Sequence, residues 1–212
     1  MHQKIGLEKP MEIEKKSFSI IERHLQHVSL PEAEYSILKR VIHTTADFDY
    51  VENLTFSKGA VSIALKALQN GADIVTDTNM AYAGIHKSAL QTLGGTVHCF
   101  MSDADVAKAA KERGVTRAMV SMEKACTLQK ELIFAIGNAP TALIRLTELI
   151  KEQKIQPKLI IGVPVGFVNV IEAKNMILEG STPYIVAKGN KGGSNVAAAI
   201  CNALLYQLIT RD

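Results

Sequence analysis

The sequence predicts a three-layer α/β protein, a parallel sheet with helices on both faces. Short apolar runs recur at 73–76, 96–100, 132–136, 159–163 and 184–187. Stretches with helical character separate them. Strands that alternate with helices build parallel sheets covered on both sides. A third observation concerns glycine: Gly137, Gly162, Gly166, Gly189, Gly192 and Gly193 gather at or just after three of the runs. In such sheets ligands bind outside the carboxyl ends of the strands, so these loops border the expected crevice.

The first third of the chain reads helical. Segments 17–27 and 32–44 carry helical periodicity, with Pro31 between them at a position suited to a first turn. A third helix spans 58–70, with Val61, Ile63, Leu65 and Leu68 apolar and Gly71 as its stop. Further helices are expected at 103–113, 117–129, 138–153, 169–179 and 194–209. Right-handed crossovers leave few ways to connect them.

The chain has 212 residues, which suits one domain spanning 1–212 and would cramp two. Its net charge of +3 is mild and its basic residues are scattered. Tryptophan is absent and aromatics make up 5%, so no base-stacking or phosphate-tracking surface stands out, and no nucleic-acid partner is expected. A small anionic ligand suits that charge better. Cys99, Cys126 and Cys201 form no pair at zinc or redox spacing. They read as reduced thiols of a cytoplasmic protein. The N-terminus shows no apolar leader core, and no apolar run is long enough for a membrane span.

Two of these loops and two helix ends carry the candidate chemistry. Gly192 and Gly193 let backbone approach a ligand, the next helix offers free N–H groups, and Lys188 and Lys191 add charge. The segment reads either as an anion cradle or as an ordinary strand-to-helix turn. Asn138 and Pro140 suit a helix cap and first turn, with a ligand role for Asn138 as the other option. Along 32–44, Ile37, Leu38, Val41 and Ile42 form an apolar stripe. Arg40 and His43 point away from it and are neighbours at three-residue spacing. His43 lies in the last turn, where the helix dipole favours an imidazolium. It reads as a proton donor or as a solvated histidine beside an arginine. Arg117 follows Thr116, a potential N-cap, so its charge opposes the dipole unless an anion binds there; the other reading is an arginine facing solvent or a partner subunit.

His98 falls within a strand run and reads as a hydrogen-bonded core or edge residue. His86 could line the crevice, and His2, His24 and His27 read as surface residues. No second ligand stands at metal spacing, so no protein-held metal is expected. No dinucleotide fingerprint or Walker loop occurs, and no cofactor is expected.

Taken together, these pieces resemble one family. Lys16–Ile21, Arg40-Val41-Ile42-His43, Ala135–Leu143, Gly162–Val168 and Gly192-Gly193-Ser194 stand in the order and spacing of precorrin-8X methylmutases of cobalamin biosynthesis. The resemblance covers nearly the whole chain. It implies a flavodoxin-like fold, a homodimer, a tetrapyrrole substrate (precorrin-8X or cobalt-precorrin-8) and migration of a methyl group from C11 to C12. It places the catalytic histidine at His43 and substrate contacts at Ser17 and Arg40, with Arg117 near the dimer interface. Gly192 and Gly193 complete the expected substrate contacts. A different class of function on the same residues is a corrinoid carrier without turnover. A third is a phosphate-ligand α/β enzyme.

Overall fold

The structure, a computed structural model, describes residues 10–209. His2 and the N-terminal stretch read for a leader lie outside them. Helix α1 (Pro10–His24) and α2 (Glu32–Thr45) lead through a single-turn α3 (Tyr50–Asn53) into β1 (Leu54–Phe56). Then follow α4 (Ala60–Gln69), β2 (Asp73–Thr76), α5 (Asn79–Gly84), α6 (Lys87–Thr92), β3 (Val97–His98), α7 (Ala104–Arg113) and α8 (Arg117–Ala125). The chain continues with β4 (Leu132–Ile136), α9 (Pro140–Lys151), β5 (Leu159–Gly162), α10 (Val170–Leu178), β6 (Tyr184–Ala187) and α11 (Ser194–Leu205).

The sheet order is β1-β6-β5-β4-β2-β3. Counting β2 to β6 as first to fifth, the parallel part runs 2-1-3-4-5, the flavodoxin-like order, with its switch point between β2 and β4. The expected three-layer fold is therefore present, with one addition. Strand β1 pairs antiparallel with β6 at one edge. It was not foreseen because three residues, only one of them fully buried, carry too little pattern.

Alternation along the strands builds two cores. On β4, Ile133 and Ala135 face the layer of α1, α2, α4, α5, α6 and α11, while Leu132, Phe134 and Ile136 face α8, α9 and α10. Helix α11 lies among neighbours in the first layer and packs on α2 and α5, so it is apolar nearly all round. Gly84 permits that contact, since a Cβ there would meet the Ala198 methyl at 2.9 Å.

Helix α2 buries the stripe anticipated for it: Ile37, Leu38, Val41 and Ile42 are all at most 1% exposed. It ends where Ala46 turns left-handed and returns its N–H to the Ile42 carbonyl at 2.7 Å. Pro31 stands one place before the first turn. Helix α1 starts earlier than expected and stops at His24, so Ser17 lies within it. Strand β3 is shorter than its apolar run, and α8 and α11 each stop four residues before their expected ends. The six-residue helices α5 and α6 were not anticipated. Thr116 is the N-cap of α8, its hydroxyl accepting from the Met119 N–H. Thr116→Ala is expected to cost about 1 kcal/mol, read as a lower urea midpoint at unchanged slope.

Candidate active site

His43 is not a solvated histidine. Its ring sits half-buried under α1, with the Phe18 ring 4.9 Å away and tilted 49°. Nδ1 lies 2.8 Å from the Ser17 hydroxyl. Among the described residues Nε2 makes no hydrogen bond. Ser17 can donate to neutral Nδ1 or accept from Nδ1–H of the imidazolium, so it serves the ring in either state. The arrangement fixes one nitrogen and presents the other. Ser17→Ala removes that orientation and is expected to lower kcat about tenfold with KM little changed, measured by steady-state kinetics.

Arg40 is one turn back on the same helix. Its guanidinium lies 5.3 Å from the Phe18 ring centre and 4.8 Å from that of Tyr206, with Glu14 at 3.4 Å. The two rings and the Glu14 carboxylate lie around the guanidinium and restrict where it can sit. Ser17, Arg40 and His43 are thus brought together, through Phe18.

Gly192 and Gly193 stand at the carboxyl edge, between β6 and α11. A Cβ on Gly192 would strike the Val163 carbonyl oxygen, so only glycine fits. The Gly193 N–H is taken by that carbonyl at 2.9 Å, and no side chain caps α11. The expected cradle loses one of its charges. Lys191 is bound to Asp47 at 2.6 Å and to Asp49, both in the turn after α2, so it neutralises neighbours instead of waiting for an anion. The same pairs tie the glycine loop to the end of the helix carrying His43.

Arg117 is exposed at the start of α8, its Nη1 3.5 Å from the Met101 carbonyl. Helix α8 belongs to the opposite face of the sheet from α2, so the chain does not bring Arg117 to His43. His86 makes no contact with His43. It is exposed, its backbone N–H donated to Asn202 and its ring 5.7 Å from that of Tyr206, the ring that also lies against Arg40. His98 lies on edge strand β3, as read, 2.9 Å from the Asp73 carboxylate. His24 is exposed as read.

Asp77 is the residue that sequence reasoning missed. It lies at the end of β2, fully buried. Its carboxylate accepts from the N–H groups of Gly137 at 2.9 Å, Asn138 at 2.8 Å and Ala139 at 2.6 Å. Burial pushes its pKa up, and those three donors pull against that shift. The N-terminus of α9 is therefore capped from another strand, across the switch point. Asn138 contributes its backbone and not the side-chain cap expected of it; the N-cap is Ala139, with Pro140 at the first turn as read. The two central loops meet backbone to backbone, since a Cβ on Gly137 would stand 2.7 Å from the Gly193 oxygen. Thr78 completes the frame, its hydroxyl 2.8 Å from that of Ser194 while it caps α5.

Lys174, on α10, is 1% exposed. Its Nζ donates to the carbonyls of Gly189 at 2.7 Å and Lys191 at 2.8 Å. Burial lowers its pKa to about 8. Among the described residues no three His, Cys, Asp or Glu side chains gather as metal ligands.

Comparison with known proteins gives the family and supports the fold. The model of the precorrin-8X methylmutase family matches residues 12–207. A cobalt-precorrin-8 methylmutase of Leptospira interrogans is 43% identical, over 91% of this chain and 91% of the relative. One of Salmonella typhimurium is 43% identical, over 95% of this chain and 97% of the relative. The crystal structure of precorrin-8X methylmutase from Thermus thermophilus superposes with a TM-score of 0.84 at 37% identity, covering 91% and 95% of the two chains. With this match along nearly its whole length, the chain belongs to the precorrin-8X methylmutase family.

Proposed function

We propose that this isomerase moves a methyl group from C11 to C12 of precorrin-8X or cobalt-precorrin-8, a step of cobalamin biosynthesis. The observation that carries the reading is the Ser17–His43 pair, which orients the imidazole and leaves Nε2 open. The migration is a 1,5-sigmatropic shift: one carbon–carbon bond breaks, another forms, and no atom enters or leaves. Such a step needs a held geometry and a proton in the right place. His43 lends a proton to the conjugated system as the methyl migrates and takes it back afterwards, so the product keeps the substrate's composition. Arg40, held between Phe18 and Tyr206, binds a peripheral carboxylate of the macrocycle. The Gly192–Gly193 backbone edge gives the ring close approach to the sheet. Any cobalt present belongs to the substrate. The names of the Leptospira and Salmonella relatives favour the cobalt form.

The whole chain acts as one domain, in a homodimer, in the cytoplasm. What supports the dimer is Arg117, exposed and remote from His43 in its own chain, where a second copy can use it. Phe167 and Val168, 91% and 76% exposed on the β5–α10 loop, suit an interface as well. Free Cys99, Cys126 and Cys201 accord with a reducing compartment. Among the described residues no helix is long and apolar enough to cross a membrane. The test is a multiple-turnover assay with each form of the substrate, followed by absorption. Many products per enzyme support the reading. A spectral change that stops at one equivalent contradicts it.

A further inference from the structure

Lys174 is a buried charged side chain that the methyl shift does not use. Burying an ammonium carries a desolvation cost, so its place needs a return elsewhere. The return lies in the loop it holds. Residues 188–193 include Gly189, Gly192 and Gly193, three of six, and glycine leaves backbone free to wander. A segment of that composition keeps one shape only through outside contacts.

Those contacts come from both sides. Lys174 reaches in from α10 and takes the Gly189 and Lys191 carbonyls. A neutral amine has two N–H groups and an ammonium three, so both carbonyls stay satisfied in either state. On the other side Lys191 reaches out to Asp47 and Asp49. The Asn190 carbonyl accepts from the Gly166 N–H at 3.1 Å, and the Gly193 N–H returns to Val163. The loop is thereby strung between α10 and the turn that ends α2.

We propose that Lys174 is a positioning residue for substrate binding: from α10 it fixes loop 188–193, and so sets the Gly192–Gly193 edge relative to His43. The proposal rests on the reading of that edge as a substrate contact. Because Gly189 is exposed and Lys191 half-exposed, water can reach the two carbonyls when the amine is gone. The loop then loosens without loss of the fold.

The experiment compares Lys174→Met with wild type by amide hydrogen exchange and steady-state kinetics. Exchange at 188–195 is expected to rise about tenfold or more, with the β4 and β5 amides unchanged. KM is expected to rise about tenfold with kcat within about threefold, since the lost contacts serve binding and not proton transfer. Lys174→Gln, which keeps a shorter donor, should fall between the two. Unchanged exchange in the loop overturns the proposal and leaves the substrate reading intact. Faster exchange with unchanged KM shows that the loop does not touch substrate, and overturns both. Exchange that rises throughout the sheet, or failure of both variants to fold, makes Lys174 a determinant of folding and overturns the positioning role.

Discussion

His43→Ala is expected to lower kcat by about 10²–10⁴-fold, the usual contribution of a positioned general acid, while KM stays within a small factor. The stripe Ile37, Leu38, Val41 and Ile42 anchors α2, and that fixes the direction in which His43 leaves its last turn. Helix α1 then lays Phe18 and Ser17 over the ring. The imidazole is held at one edge and open at the other. An interaction made chiefly in the transition state shows in kcat and not in KM. The substitution should leave stability nearly unchanged. It removes a half-buried ring whose one hydrogen bond among the described residues is to Ser17, also half-buried and able to turn to water. Equal thermal midpoints for variant and wild type, with a collapsed kcat, separate chemistry from folding.

Asp77→Ala is expected to act in the opposite way, on stability first. The substitution strips the acceptor from three N–H groups at the start of α9, of which that of Gly137 is fully buried. An unsatisfied buried donor costs about 1–3 kcal/mol, and the partly buried pair less, so the total should be about 3 kcal/mol. For a chain of this size that corresponds to roughly 6–12 °C in Tm. Asp77→Asn should recover little of it. The amide offers one acceptor oxygen, and its NH₂ must face N–H groups. A calorimetric scan that finds either variant as stable as wild type would show that water or a loop shift replaces the carboxylate.

The features visible in the sequence were those with local period. Strands β2, β4 and β6 coincide with their apolar runs because buried parallel strands are continuous in apolar residues. Helix α2 was legible from its stripe, and the Thr116 cap from its place before the helix. Features that depend on partners far along the chain were not. Strand β1 is a strand only because β6 lies beside it. Asp77 looks like an ordinary turn residue until folding brings positions 137–139, sixty residues away, onto its oxygens. Lys191 read as a free cation because Asp47 and Asp49 are still more remote in sequence. Lys174 followed the apolar start of its helix and gave no sign that it would be buried.

The site divides the same way. Arg40 and His43 were legible as neighbours, from spacing alone. That α1 covers them was not, because its contact with α2 joins two helices whose mutual register no periodicity fixes. The glycine pair was legible as a close-approach turn, whereas its tether to the His43 helix was not.

The central claim is that His43 drives a methyl migration within the substrate. The most direct measurement carries ¹³C on the C11 methyl of precorrin-8X and of its cobalt form, and follows the carbon spectrum with the wild-type chain and with His43→Ala. The label should arrive at C12 in many equivalents per enzyme, at unchanged product mass, and should stay at C11 with the variant. A label that remains at C11 with the wild-type chain, or migrates equally fast without the imidazole, would contradict the account.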